Sequence, residues 1–181
     1  MDVNASSSYP RAMTEAPSRL AADPIGVARD QWVERGWESA APGMAAVTSL
    51  MRAQQIVSAR VDAVLKPLGI TFARYEVLML LTFSRRGSLP MKLIAARLQV
   101  HPTSVTNAVD RLEQAGLVHR STHPDDRRAF IITLTDAGRA LASRATSDLN
   151  EQVFGRPELD RDDLESLVEI IGRMRSAAGD F

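Results

Sequence analysis

The sequence predicts a mainly α-helical chain carrying one small β-hairpin, and three observations support this. Apolar residues recur at three- and four-residue spacing along most of the chain, as they do on a helix face. Between Leu117 and Leu134 the period drops to two on either side of the polar turn His123-Pro124-Asp125-Asp126. Asp and Thr stand where helices begin and glycines where they stop.

Residues 1–22 are rich in Ser, Ala and Pro and are expected to form a disordered arm, because they hold too little apolar surface to offset chain entropy. Asp23-Pro24 reads as a helix cap followed by proline at the first helical position. Ile25, Ala28, Trp32 and Val33 then share a face, and Gly36 ends that added N-terminal helix within residues 23–42. Pro42-Gly43 breaks the chain before a long helical run, in which Val47, Leu50, Met51, Val57, Val61, Val64, Leu65 and Leu68 form one stripe and Gly69 supplies the stop. Thr71 caps a shorter helix containing Tyr75, Val77, Leu78, Leu80 and Leu81, whose hydrophobicity marks it as central. It ends at Arg85-Arg86-Gly87.

Two helices follow in quick succession, from about Pro90 to Leu98 and from about Pro102 to Ala115. They are joined by Gln99-Val100-His101 and closed by Gly116. Leu117–Ser121 and Arg128–Leu134 alternate as two antiparallel strands. Thr135 caps a helix running to about Phe154, Gly155-Arg156-Pro157 breaks it, and Asp160 caps a last helix carrying Leu164, Leu167, Val168, Ile171 and Met174.

At 181 residues and 45% apolar content, the chain is long enough for one well-buried folding unit. Cysteine is absent, which excludes disulfides, thiolate nucleophiles and cysteine-based metal sites. No apolar run has the length of a signal-peptide core or a membrane span, so a cytoplasmic protein is expected. Net charge is zero, but it is unevenly spread. Residues 85–128 hold eight Lys/Arg against four Asp/Glu, whereas residues 129–181 hold six against ten. Such segregation fits a middle segment that faces a polyanion, with chance as the plain alternative.

Two short helices joined by a tight turn, with a hairpin directly after the second, have the layout of a winged helix-turn-helix spanning residues 69–134. In the first helix Leu93, Ile94 and Leu98 are expected to face the core, with Ala95 allowing a close crossing. In the second, Val105, Val109 and Leu112 mark the buried stripe. The opposite face presents Thr103, Ser104, Thr106, Asn107 and Arg111, which are types that meet base edges in a major groove and phosphates beside it. The hairpin tip adds Asp126, Arg127 and Arg128. An arginine there suits the negative potential of a narrow minor groove, although Asp–Arg pairs on a solvated turn would read the same way.

The stretch from His101 through Arg111-Leu112-Glu113-Gln114-Ala115-Gly116-Leu117-Val118, followed by Asp125-Asp126-Arg127-Arg128 and by Ile132-Thr133-Leu134-Thr135-Asp136-Ala137-Gly138, resembles the MarR-type winged-helix transcriptional regulators. The likeness covers about Met44 to Met174. It implies a homodimer built from the helices at residues 43–68 and 135–178, and a DNA-binding lobe whose paired recognition helices enter adjacent major grooves of an inverted-repeat operator. The family's Asp-x-Arg wing maps onto Asp126 and Arg128. His123 departs from the acidic residue common in relatives. Many members are repressors released by small, often anionic aromatic ligands, for which Trp32, Arg60, Arg74, Tyr75 and Glu76 are pocket candidates. Each of these has an alternative as surface charge or core residue. The helix from Asp23 to Trp37 is similar to one in a urate-responsive branch, but Glu76 stands where that branch has aspartate.

No catalytic constellation is visible. His101, His119 and His123 lack metal-ligand spacing, and there is no phosphate loop or nucleophile elbow, so no enzyme, metal or cofactor is expected. The other open reading is a helical dimerisation or scaffold protein whose winged helix does not read DNA specifically.

Overall fold

The structure, a computed structural model, describes residues 20–98, 102–124 and 126–181, with the side chains of Pro102 and Arg127 outside that description. The expected disordered arm therefore lies almost wholly outside the described residues. So does the Gln99-Val100-His101 link. The chain divides into two units, one ending at Gln55 and one beginning at Ile56.

The first unit contains α1 (Pro24–Glu34) and most of the first two-thirds of α2 (Ala41–Leu65). The Asp23 carboxylate accepts from the backbone N–H of Ile25 at 3.0 Å and of Gly26 at 3.3 Å, so the cap read from sequence forms. Trp32 and Trp37 pack edge to face at 5.3 Å between ring centroids. The long helix begins at Ala41, one residue before Pro42-Gly43, so that pair lies inside its first turn rather than breaking the chain ahead of it. Proline is tolerated there because a first-turn N–H has no intrahelical acceptor.

In the second unit a 3₁₀ turn, Lys66–Leu68, ends α2, and α3 (Phe72–Phe83) follows with Thr71 as its cap. Then come β1 (Ser88–Pro90), α4 (Met91–Leu98), α5 (Pro102–Gln114), β2 (Val118–His123), β3 (Asp126–Leu134) and α6 (Asp136–Leu149). A π-helical turn, Asn150–Phe154, and the final helix α7 (Arg161–Ala177) complete the unit. The three strands form one antiparallel sheet in the order β1-β3-β2, with Leu89 opposite Ile132 and Arg120 opposite Ile132 on the other side. The expected hairpin is thus joined by a third strand. The two main strands also run further toward the tip than the period-two pattern indicated, to His123 and Asp126.

One core organises this unit. Val77, Leu78 and Leu81 of α3 are fully buried against Ile94, Val109, Leu112, Ile132 and Leu149. The α3 helix is central, as its composition predicts. Leu93 departs from expectation, being 37% exposed while its neighbour Ile94 is fully buried. An eight-residue helix turns a single residue squarely inward, and Ile94 takes that place.

Candidate nucleic-acid interface

The α5 helix has two chemically different faces because its apolar residues recur every three to four positions. Val105, Val109 and Leu112 are at most 1% exposed and anchor it on the core. Thr103, Ser104, Thr106, Asn107 and Arg111 are all exposed on the other side. Arg111 also reaches Gln114 at 3.3 Å, a pairing between neighbours on one face.

The orientation of α5 against the sheet is fixed by a residue the sequence reading missed. The Arg120 guanidinium, on β2, pairs with Asp110 and, at 3.3 Å, with Glu113 of α5, and it lies 5.5 Å from the centre of the Phe130 ring on β3. Its own backbone N–H donates to Glu113 at 3.2 Å. One arginine therefore joins α5, β2 and β3, and it compensates two carboxylates that would otherwise repel a phosphate backbone. The signal was present in the i,i+3 carboxylates Asp110 and Glu113, followed ten residues from Asp110 by a cation at an inward strand position.

At the wing tip, the Asp126 carboxylate accepts from the backbone N–H of Arg128 at 2.9 Å, tying down the turn from which Arg128 projects into solvent. Arg127 belongs to β3, and its side chain lies outside the described residues, as does Asp125. The base of the wing is locked by contacts that explain the Leu134-Thr135-Asp136-Ala137-Gly138 sequence. The Thr135 hydroxyl donates to the Gly116 carbonyl at 2.8 Å and accepts from the Gly138 N–H at 3.0 Å. A side chain at Gly138 would collide with the Leu117 carbonyl, so only glycine permits this approach.

Two clefts flank α5. One, of about 380 Å³, lies toward the wing and is lined in part by Met91, Lys92, Thr106, Arg128 and Phe130. The other, of about 320 Å³, lies toward the start of α3 and is lined by Thr71, Ala73, Arg74, Ser104, Asn107, Ala108 and Arg111. Recognition-helix residues and the wing arginine therefore meet across continuous surface.

The four ligand-pocket candidates of the second unit do not line one common cleft. Trp32 packs edge to face with Trp37 in the first unit. Arg60 donates to the backbone carbonyls of Arg156 at 3.0 Å and Gln152 at 3.4 Å and sits 3.8 Å from Glu158, so its donors hold the turn between α6 and α7. Tyr75 is buried and hydrogen-bonded to Thr146 at 3.1 Å. Arg74 faces the cleft beside α5. Glu76 is half-buried with no ion-pair partner among the described residues, and burial pushes its carboxyl above the ordinary range. A separate cleft of about 360 Å³, apolar in character, is walled by Val57, Val61, Phe72 and Phe154 together with Ser58, Asp62, Thr71 and Ala73, and none of the five is on its wall.

Among the described residues no cluster of three or more His, Asp or Glu has the geometry to hold a metal ion. No described helix is long and apolar enough to cross a membrane.

Comparison with known proteins places this geometry. The model of the MarR family matches residues 70–130. The chain is 32% identical over 118 residues to the HTH-type transcriptional regulator YhbI of Bacillus subtilis, covering 65% of this chain and 75% of the relative. Its fold is similar to the crystal structure of Sco5413, a MarR family transcriptional regulator from Streptomyces coelicolor, with TM-score 0.70 and 51% identity over 77% of this chain and 97% of the other. It is also similar to Sco3205, a MarR family regulator from the same organism solved in complex with DNA. There the TM-score is 0.65 and the identity 27%, covering 73% of this chain and 84% of the other.

Proposed function

The chain belongs to the MarR family of transcriptional regulators, and from that premise we propose that it is a sequence-specific, double-stranded DNA-binding repressor that acts as a homodimer and is released by a small ligand. The observation that carries this is the exposed row Thr103, Ser104, Thr106, Asn107 and Arg111 on a helix whose other face is fully anchored, beside a wing arginine held in place by Asp126. Short donors and acceptors on α5 would read base edges in the major groove. Arg128, with Arg127 beside it in sequence, would enter the adjacent minor groove.

In this reading residues 69–134 form the DNA-binding lobe, and residues 43–68 and 135–178 supply the dimer helices. Residues 23–42 add a helix. The exposed apolar residues of α7, among them Leu167, Val168, Ile170 and Met174, are what a second copy would cover. A two-fold dimer with one recognition helix per subunit reads an inverted repeat with half-sites about one helical turn apart. The cleft walled by Val57, Val61, Phe72 and Phe154 is the better seat for a small aromatic effector, since Arg60 and Tyr75 are already engaged by the protein. A soluble regulator of this kind works in the cytoplasm.

The test is selection of bound fragments from the source genome, followed by mobility shifts on the selected site and on a scrambled duplex at rising salt. The proposal expects a dyad-symmetric site, bound more tightly than the scramble, with affinity that falls steeply as salt rises. Equal and weak retention of both duplexes would favour the scaffold reading.

A further inference from the structure

A helix seated in a major groove about 12 Å wide has a sugar–phosphate strand along each side. The structure assigns a cationic seat to each of those strands. Lys92 holds the one on the wing side, and Arg74 with Lys66 holds the one on the opposite side. This rests on the reading that α5 enters the major groove, and it adds DNA contacts from outside α5 and the wing.

On the wing side, Lys92 stands in the first turn of α4 and shares a cleft wall with Thr106 of α5 and Arg128 of β3. The strand separating the major groove from the minor groove must pass between α5 and the wing, which is through this cleft. In helix-turn-helix proteins the first helix crosses the backbone, and of the α4 cations Lys92 and Arg97 it is Lys92 that lines this cleft.

On the other side, Arg74 of α3 lines the cleft with Ser104, Asn107 and Arg111 of α5. Its guanidinium is already oriented, with Nε donating to the Thr71 hydroxyl at 3.3 Å and Nη1 to the Gly69 carbonyl at 3.2 Å. A pre-set guanidinium loses little further freedom when a phosphate arrives. Thr71 and Arg74 also border an adjoining hollow of about 440 Å³ that contains Lys66, with Asp62 on its wall. The cations Lys66, Arg74 and Arg111 therefore follow one another along a continuous path. None of Lys66, Arg74 and Lys92 is in a salt bridge among the described residues, whereas the α7 cations Arg161, Arg173 and Arg175 all are.

Phosphate contacts are independent of sequence, so a mixed-sequence DNA duplex is a sufficient probe. Affinity for it is measured against salt for Lys92→Gln, Arg74→Gln and Lys66→Gln. Arg161→Gln on α7 serves as an equal loss of charge, and Arg128→Ala as the wing reference. Each seat variant is expected to flatten the slope of log affinity against log salt by about two per dimer, since about 0.9 counterion is released per phosphate neutralised. Lys92→Arg and Arg74→Lys should keep the parent slope, because the charge remains, and Arg161→Gln should leave it unmoved. Melting curves identify any variant that has lost its fold. If Arg74→Gln does, Lys92→Gln and Lys66→Gln carry the measurement. Parent slopes in the seat variants, with a flattened slope in Arg128→Ala, would overturn the seats and leave the DNA-binding reading standing. A parent protein with no salt-dependent binding at all would overturn both.

Discussion

The α5 and α7 helices carry the same kind of apolar stripe at helical spacing and end in opposite situations. In α5 the stripe is sealed, with Val109 and Leu112 at 0% exposure. In α7 no residue is buried, and Val168 is 72% exposed. The first helix finds its partner within its own chain, through α3 and the sheet. The second buries no residue against the described residues of its own chain. Amphipathicity therefore says that a face will be covered, and topology decides by what. The lobe around α3 and α5 completes its own core, whereas α7 keeps an apolar face open, which in the proposed dimer a second copy would cover.

The largest expected effect tests the sealed side. Leu112→Ala should cost about 2–5 kcal/mol of unfolding free energy, through lost burial and the cavity left behind, at every protein concentration. Gly138→Ala should follow at about 1–3 kcal/mol, because a methyl group there forces the start of α6 away from the Leu117 carbonyl and loosens the base of the wing. Denaturant titration measures both. A loss under 0.5 kcal/mol in either would mean that the lobe adjusts more easily than this core implies.

Val168→Asp tests the open side. The folded protomer should barely register it, but the dimer should dissociate at higher concentration and its melting temperature should depend more strongly on protein concentration. Sedimentation at several dilutions reads this directly. A variant that self-associates like the parent would place the dimer contact elsewhere.

The smallest effect is a matter of sign. Burial disfavours the Glu76 carboxylate, so the native state holds its proton more tightly than the unfolded chain. Between the unfolded and the raised native pKa the native state binds more protons, and stability falls as pH rises through that window. Glu76→Gln should therefore melt above the parent at neutral pH, and the gap should close on acidification. A gap that widened in acid would contradict the burial.

The contrast between α5 and α7 also shows what sequence can reveal. The stripe Val105, Val109 and Leu112, the Asp23, Thr71, Thr135 and Asp160 caps and the period-two wing were all legible, because each depends on residues close together in the chain. The β1 strand was not, since three residues ending in proline set up no period, and its place in the sheet comes from the pairing of Leu89 with Ile132. The role of Arg120 depends on three elements meeting. Arg74, a pocket candidate with surface charge as its alternative, lines a cleft with Ser104, Asn107 and Arg111 only because folding brings α3 alongside α5. The contacts of Arg60 Nη2 with the Arg156 and Gln152 carbonyls, more than ninety residues away, could not be read from the sequence either.

The central claim is that α5 reads bases while the wing holds the adjacent minor groove without regard to sequence. Titration of Asn107→Ala and Arg128→Ala against the selected site and a scrambled duplex at several salt concentrations tests it most directly. Asn107→Ala should lose about 1–3 kcal/mol on the selected site and far less on the scramble, while Arg128→Ala should weaken both alike and flatten the salt dependence. Equal losses on both duplexes for Asn107→Ala, or parent-like binding by Arg128→Ala, would contradict that division of labour.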